Sequence, residues 1–133
     1  MIRRIYVVMI LIFLLSSCAT SVGTNAGEPM VLEQLFFGRN MDGKLAVSDS
    51  LWSHFLTEVV TPRFPDGLTV FHAAGQWRGA DGRIEREASY VLELVHAPST
   101  AADSNIVFII SEYKRRFQQE AVLRVVIPAK ASW

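Results

Sequence analysis

Two strand-like runs, residues 68–78 and 83–96, stand on either side of Gly79-Ala80-Asp81-Gly82. Asp-Gly between such runs is a strong hairpin signal. A turn on Asp81-Gly82, or a four-residue loop, predicts one pairing: Arg78 opposite Glu85, Trp77 opposite Arg86, Gln76 opposite Glu87, Ala74 opposite Ser89 and Phe71 opposite Leu92. Opposite charges and polar groups then meet across the ladder. The same pairing sorts the ribbon into two faces. Phe71, Ala73, Gly75, Trp77, Ala88, Tyr90, Leu92 and Leu94 form an apolar face suited to lie under helices. His72, Gln76, Arg78, Glu85, Glu87, Ser89 and Glu93 form a polar one.

The elements around this ribbon follow from changes of period. Residues 31–37 carry apolar side chains on both alternating sets, as a central strand does, and Gly38 ends the run. Ser48 or Asp49 can cap a helix whose Leu51, Trp52, Phe55, Leu56, Val59 and Val60 make one apolar stripe. Pro62, through its restriction on Thr61, stops it. A loop at 97–104 leads to a second helix with Ile106, Ile109, Ile110, Tyr113 and Phe117 on one stripe. Lys114, Arg115 and Arg116 complement the dipole at its C-terminal end. An alternating strand at 121–127 closes the chain before Pro128. The order β-α-β-β-α-β is the split βαβ arrangement of ferredoxin-like α+β domains, with a four-stranded antiparallel sheet and both helices on one face. The uncovered second face, with Val70, Val91 and Val95 expected on it, is a surface for a homodimer.

The N-terminal segment reads differently. Arg3 and Arg4 precede an apolar run of eleven residues, 5–15, and then Ser16-Ser17-Cys18. A bilayer crossing needs about 20 residues, so this is a signal segment and not a permanent span. Leu15-Ser16-Ser17-Cys18 resembles the lipobox of bacterial lipoproteins. The resemblance implies cleavage between Ser17 and Cys18, acylation of Cys18, and anchorage of the mature protein in the cell envelope. Ala19 after the cysteine favours the outer membrane, facing the periplasm. The chain then divides into a signal peptide at 1–17, a lipidated cysteine and flexible tether at 18–29, and one domain at 30–133. Loss of Arg3 and Arg4 with the signal turns a precursor of 13 cations and 13 anions into a mildly acidic mature chain. That balance excludes a general nucleic-acid binder. The single cysteine excludes a disulfide framework or a multi-cysteine metal site.

No motif in the domain specifies a reaction. Arg39, Arg63 and Asp66 lie at element ends and, with Gln76, form a candidate ligand site in which two arginines clamp a carboxylate or phosphate. Against this, Pro62, Pro65 and Asp66-Gly67 make a rigid corner, and either arginine can simply pair with Asp66. His72, Glu87 and Ser89 are the candidate catalytic set, a base, an orienter and a nucleophile on one strand face. His54, His72 and His96 lack a paired ligand spacing, so neither metal nor cofactor is expected. Phe36-Phe37-Gly38-Arg39, the string Thr61-Pro62-Arg63-Phe64-Pro65-Asp66-Gly67-Leu68-Thr69, Gly75-Gln76-Trp77-Arg78 and Arg86-Glu87 together resemble an uncharacterised family of bacterial lipoproteins, catalogued as domain of unknown function 3574. The resemblance implies an envelope location and brings no activity. The expected function is a lipid-anchored binding or interaction module for a protein or small molecule, and the alternative is a small periplasmic enzyme.

Overall fold

The computed structural model describes residues 27–41, 44–79 and 81–133. The signal segment, Cys18 and the tether up to residue 26 lie outside the described residues. Nine elements follow one another: β1 (Glu28–Gly38), β2 (Asn40–Met41), β3 (Lys44–Leu45), α1 (Asp49–Phe55) continuing as a π-helical turn (Leu56–Val60), β4 (Thr69–Arg78), β5 (Ile84–His96), α2 (Thr100–Phe117) and β6 (Leu123–Ala131). Strands β4-β5-β1-β6 form one sheet in that order, antiparallel throughout. The expected α+β ferredoxin-like sandwich is therefore observed, with a two-residue β2–β3 ladder added after β1.

Local chemistry accounts for the ends. The Ser48 hydroxyl accepts from the Leu51 amide at 3.2 Å and caps α1. Thr61 N–H reaches back to the Leu56 carbonyl at 2.8 Å, the wider i→i+5 bond of the closing π turn. Ser99 caps α2 by accepting from Ala102 N–H at 3.0 Å, so this helix begins inside the stretch expected as loop. β6 runs through Pro128, past the expected stop. It is an edge strand, where a missing N–H interrupts no second ladder.

The largest departure is the hairpin register. Trp77 faces Glu85, Gln76 faces Arg86, Gly75 faces Glu87, Ala73 faces Ser89, His72 faces Tyr90 and Phe71 faces Val91. This is one residue away from the expected pairing, and the turn is the reason. Gly79 N–H donates to the Arg83 carbonyl at 2.8 Å, and Gly82 N–H to the Gly79 carbonyl at 3.0 Å. The Asp81 carboxylate accepts from Arg83 N–H. Gly82, at φ 82°, takes the left-handed position that a three-residue hairpin loop requires, where two- or four-residue loops were expected. A one-residue slip carries every side chain of a strand to the other face. Of the faces read from sequence, β5 is therefore right and β4 is inverted. His72, Gln76, Arg78 and Val70 share the helix-side register with Tyr90, Leu92 and Leu94, and Phe71 and Trp77 point to the open side.

Beneath the helices, Leu35, Phe37, Tyr90, Leu92 and Leu94 pack against Trp52, Phe55, Val60, Ile106, Ile109 and Tyr113, all buried. The centre is aromatic. Trp52 stacks on Tyr90 at 4.4 Å between centroids, and Phe37 meets Tyr113 edge-on at 4.5 Å.

Candidate functional site

Arg39 leaves the end of β1 with its amide still bonded to the Ala88 carbonyl at 3.2 Å. Its guanidinium lies 4.5 Å over the Tyr90 ring. It donates to the Val47 carbonyl at 2.9 Å and to Asp49 Oδ1 at 2.6 Å. Tyr90 Oη donates to the same Asp49 oxygen at 2.5 Å. The Tyr90 hydroxyl, followed by Arg39 and His72, holds the Asp49 carboxyl below its ordinary range, although partial desolvation opposes them. Burial and the Asp49 bond push the Tyr90 phenol up to about 12. The His72 ring is edge-on to Tyr90 at 5.0 Å. Tyr113 Oη closes the arrangement on the Gly38 carbonyl at 2.8 Å. This end of the molecule is a staple that ties β1, α1, β5 and α2, and Arg39 is occupied within it.

Arg63 sits at the opposite end of α1. Its guanidinium donates to the Val59 carbonyl at 2.8 Å and covers the Phe108 ring at 3.7 Å. The helix rise from Asp49 to Val59 separates the anchors of the two arginines by about 15 Å. Asp66 is exposed beside Gly67, whose φ is 147°, and Phe64 is buried in the core. The long Thr-Pro-Arg-Phe-Pro-Asp-Gly string is thus a corner between α1 and β4, and Arg39, Arg63 and Asp66 do not converge.

The register also divides the candidate catalytic set. His72 belongs to the helix-side register, and Glu87 and Ser89 to the open side. The Glu87 carboxylate lies against Gly38, where an added Cβ would come within 2.8 Å of Oε1 and would require that flexible side chain to move aside. Gln76 faces Arg86, whose Nε reaches its Oε1 at 3.4 Å. An open groove of about 460 Å³ lies beside this pair, between Asn40, the Ala74–Gln76 strip and the Arg86–Ala88 strip. Among the described residues, no group of three or more His, Cys, Asp or Glu side chains is placed to hold a metal ion.

One polar cluster escaped the sequence reading. Glu33 is 1% exposed, the one charged residue in the buried set. Arg124 of β6 binds it with both arms of the guanidinium, at 2.8 and 2.6 Å, and reaches Asp103 of α2 at 2.7 Å. The Glu33 contact raises the Arg124 pKa above its ordinary value. His96 Nε2 lies 3.8 Å from Glu33 Oε1, beyond hydrogen-bond reach, in a small cavity of about 180 Å³. Glu33 shares an alternating set with Leu35 and Phe37, and the structure turns that set inward; with apolar residues on both sets, the sequence did not say which one would be buried. The basic run of α2 is also engaged locally, Arg115 and Arg116 with Glu112, and Arg116 with Glu58. These contacts, Arg115 foremost, hold the Glu112 carboxyl down at about 2.

The remaining feature is the uncovered face of the sheet. Phe71 (47% exposed), Trp77 (49%), Val95 (42%), Leu123 (60%) and Ile127 (37%) stand on it around Phe36 and Val91. Val70, expected there, packs on the core side instead. Gln34 donates to Glu93 at 2.7 Å near the middle. Glu85, Glu87 and Glu93 share this register, with no Lys or Arg among its described residues.

A family model described as protein of unknown function (DUF3574) matches residues 32–133. No curated protein matches the chain. Among solved structures, a phage SAM lyase in complex with S-methyl-5'-thioadenosine is similar, with a TM-score of 0.63 at 15% identity over 85% of this chain and 98% of the lyase. The same enzyme type in its apo state gives a TM-score of 0.56 at 14% identity over 77% of this chain and 90% of the lyase. CutA1 from Oryza sativa gives 0.51 at 9% identity over 80% of this chain and 85% of CutA1. At these identities the likeness is one of fold.

Proposed function

The chain belongs to the DUF3574 family of proteins of unknown function, and from that premise we propose that it is a lipid-anchored protein of the bacterial cell envelope that acts as an interaction module, pairing with a second copy of itself through the open sheet face. The observation that carries this reading is the row of half-exposed apolar side chains across all four strands. Contiguous apolar patches of this kind mark contact surfaces. Four strands at about 4.8 Å spacing and nine residues at about 3.3 Å give a face of roughly 19 by 30 Å. Two such faces bury on the order of 1,100 Å², at the lower bound of specific interfaces. Anchorage supports so modest a contact, because Cys18-linked copies share one membrane plane and meet at a raised effective concentration. The acids on the face disfavour anionic headgroups and nucleic acid as occupants. They also make the pairing strengthen as salt screens like charges.

The anchor is tested by Cys18→Ala, expected to leave the precursor uncut and without lipid; normal maturation of that variant would sink the lipoprotein reading. For the pairing, Cys18 is the single cysteine and is consumed by acylation, so one introduced thiol reports contacts in the native membrane. Val95→Cys is expected to give a disulfide-linked dimer that Phe71→Glu abolishes. Val107→Cys, on the outer side of α2 and 51% exposed, is expected to give none. Equal crosslinking from both positions removes the proposal. An enzymatic alternative has the fold it shares with the phage lyase in its favour, but His72, Glu87 and Ser89 do not share a face on which to act together.

A further inference from the structure

The arginines of the described chain divide into two groups. Arg39, Arg83, Arg115, Arg116 and Arg124 each meet a carboxylate. Arg63 is held by a backbone carbonyl and an aromatic ring. Arg78 and Arg86 meet no carboxylate among the described residues, and both are exposed. The observed register places them together: Arg86 faces Gln76, Arg78 faces Ile84, and both arginines belong to the helix-side face of the ribbon. Diagonal neighbours on such a ladder stand about 7 Å apart, within reach of two long side chains closing on one group.

Arg86 Nε donates to Gln76 Oε1 at 3.4 Å, which leaves the Gln76 amide NH2 as the donor end of that side chain. Asn40 stands on another wall of the groove. Its floor is made of Ala74 and Ala88 with the Gly75 backbone between the side chains. Glu87 also borders the groove, and its carboxylate lies against Gly38 in the open-side register.

We propose that this groove binds a small organic phosphate, its phosphoryl oxygens held by Arg86 and the Gln76 amide within the groove and by Arg78 reaching in from its diagonal position beyond the lining, and its carbon part resting on Ala74 and Ala88. Two guanidinium forks already match the roughly four lone-pair sites of a carboxylate, and the Gln76 amide adds donors beyond them. The three terminal oxygens of a phosphate monoester use them. A volume of about 460 Å³ exceeds what a bare phosphate needs and falls in the ordinary range of small-ligand sites. The phosphate can belong to a soluble molecule or to a lipid headgroup beside the anchor. The site is independent of the pairing proposed for the open face.

The test uses full-length protein in phosphatidylcholine nanodiscs, titrated with phenyl phosphate and followed by the side-chain NMR signals of Gln76 and Arg86. Saturable shifts are expected. Apparent affinity should fall at least about tenfold in Arg78→Gln and in Arg86→Gln, the loss of a charge-assisted bond. It should stay unchanged in Arg83→Gln, an exposed arginine at the loop. In a second arm, phosphatidic acid replaces part of the lipid. The same shifts without added ligand, lost in the same two variants, assign the site to headgroups, and shifts with phenyl phosphate alone assign it to soluble phosphates. Absence of saturable shifts in both arms, or equal losses in all three variants, overturns the proposal. Benzoate binding as tightly as phenyl phosphate does so too.

Discussion

The two faces of this sheet are built from alternate residues of the same four strands, and they solve opposite problems. On the helix side the apolar groups beneath the helices are covered, with Ile84 and Val126 left exposed, and the polar groups within the packed region are paired: Arg39 with Asp49 and Tyr90, Glu33 with Arg124. On the other side phenylalanine, tryptophan, valine and leucine remain half exposed, and carboxylates stand without cations. Covering an ion pair is worthwhile only where geometry satisfies both partners. The open face has no such geometry, and a second layer would have to supply it. The packed part of the helix side therefore carries stability, and the open face is the surface we propose for pairing.

Three measurements would break or sharpen that contrast. The largest effect is expected from Phe37→Ala, which empties a site packed by Trp52, Phe55 and Tyr113 and should cost about 3–5 kcal/mol in urea unfolding. The matched deletion on the open face, Phe71→Ala, should cost about 1 kcal/mol or less, because half of that ring is already in water. Similar costs for the two would erase the distinction between the faces. Next, Arg124→Met strands a buried Glu33 carboxylate and should destabilise by about 3 kcal/mol, the lower part of the range for a broken buried pair because Arg124 keeps some exposure. Adding Glu33→Gln should recover part of this loss, and a double variant no better than the single would mean that the pair is not the cause. The smallest effect is titrational. The folded Glu112 carboxyl, near 2, lies below its ordinary 4.5, so its contribution is complete above about pH 4.5 and is lost as pH falls toward 2. Glu112→Gln should flatten that part of the acid unfolding profile while leaving the neutral region alike.

Much of the architecture was legible because it is written in short periods. The stripe from Trp52 to Val60 and that from Ile106 to Phe117 each announce a helix, Ser48 and Pro62 mark the ends of the first, and two-sided apolarity marks β1 as central. The hairpin register was not legible. Gly79-Ala80-Asp81-Gly82 accommodates several loop lengths, and the polar pairs Arg78–Glu85 and Gln76–Glu87 favour a different one from that observed. Such side-chain pairs contribute only fractions of a kcal/mol, and Tyr90, Leu92 and Leu94 face the core in either register. The three-residue loop, with Gly82 in its left-handed conformation, therefore sets the pairing. Of the candidate ligand set, Gln76 lines the groove and Arg39, Arg63 and Asp66 do not join it. Arg86, outside that candidate set, lines the groove with Gln76.

The linear chain determined the order of elements, the cap of the first helix and the central place of β1. These follow from propensity, periodicity and local hydrogen bonds, all of which act within a few residues. Tertiary structure alone decided which way β4 faces, and with it the separation of His72 from Ser89, the diagonal placement of Arg78 and Arg86 on one face, and the pairing of Glu33 with Arg124. Each depends on separate segments being brought into one register, and register is a property of the assembled sheet, set in the hairpin by a three-residue loop.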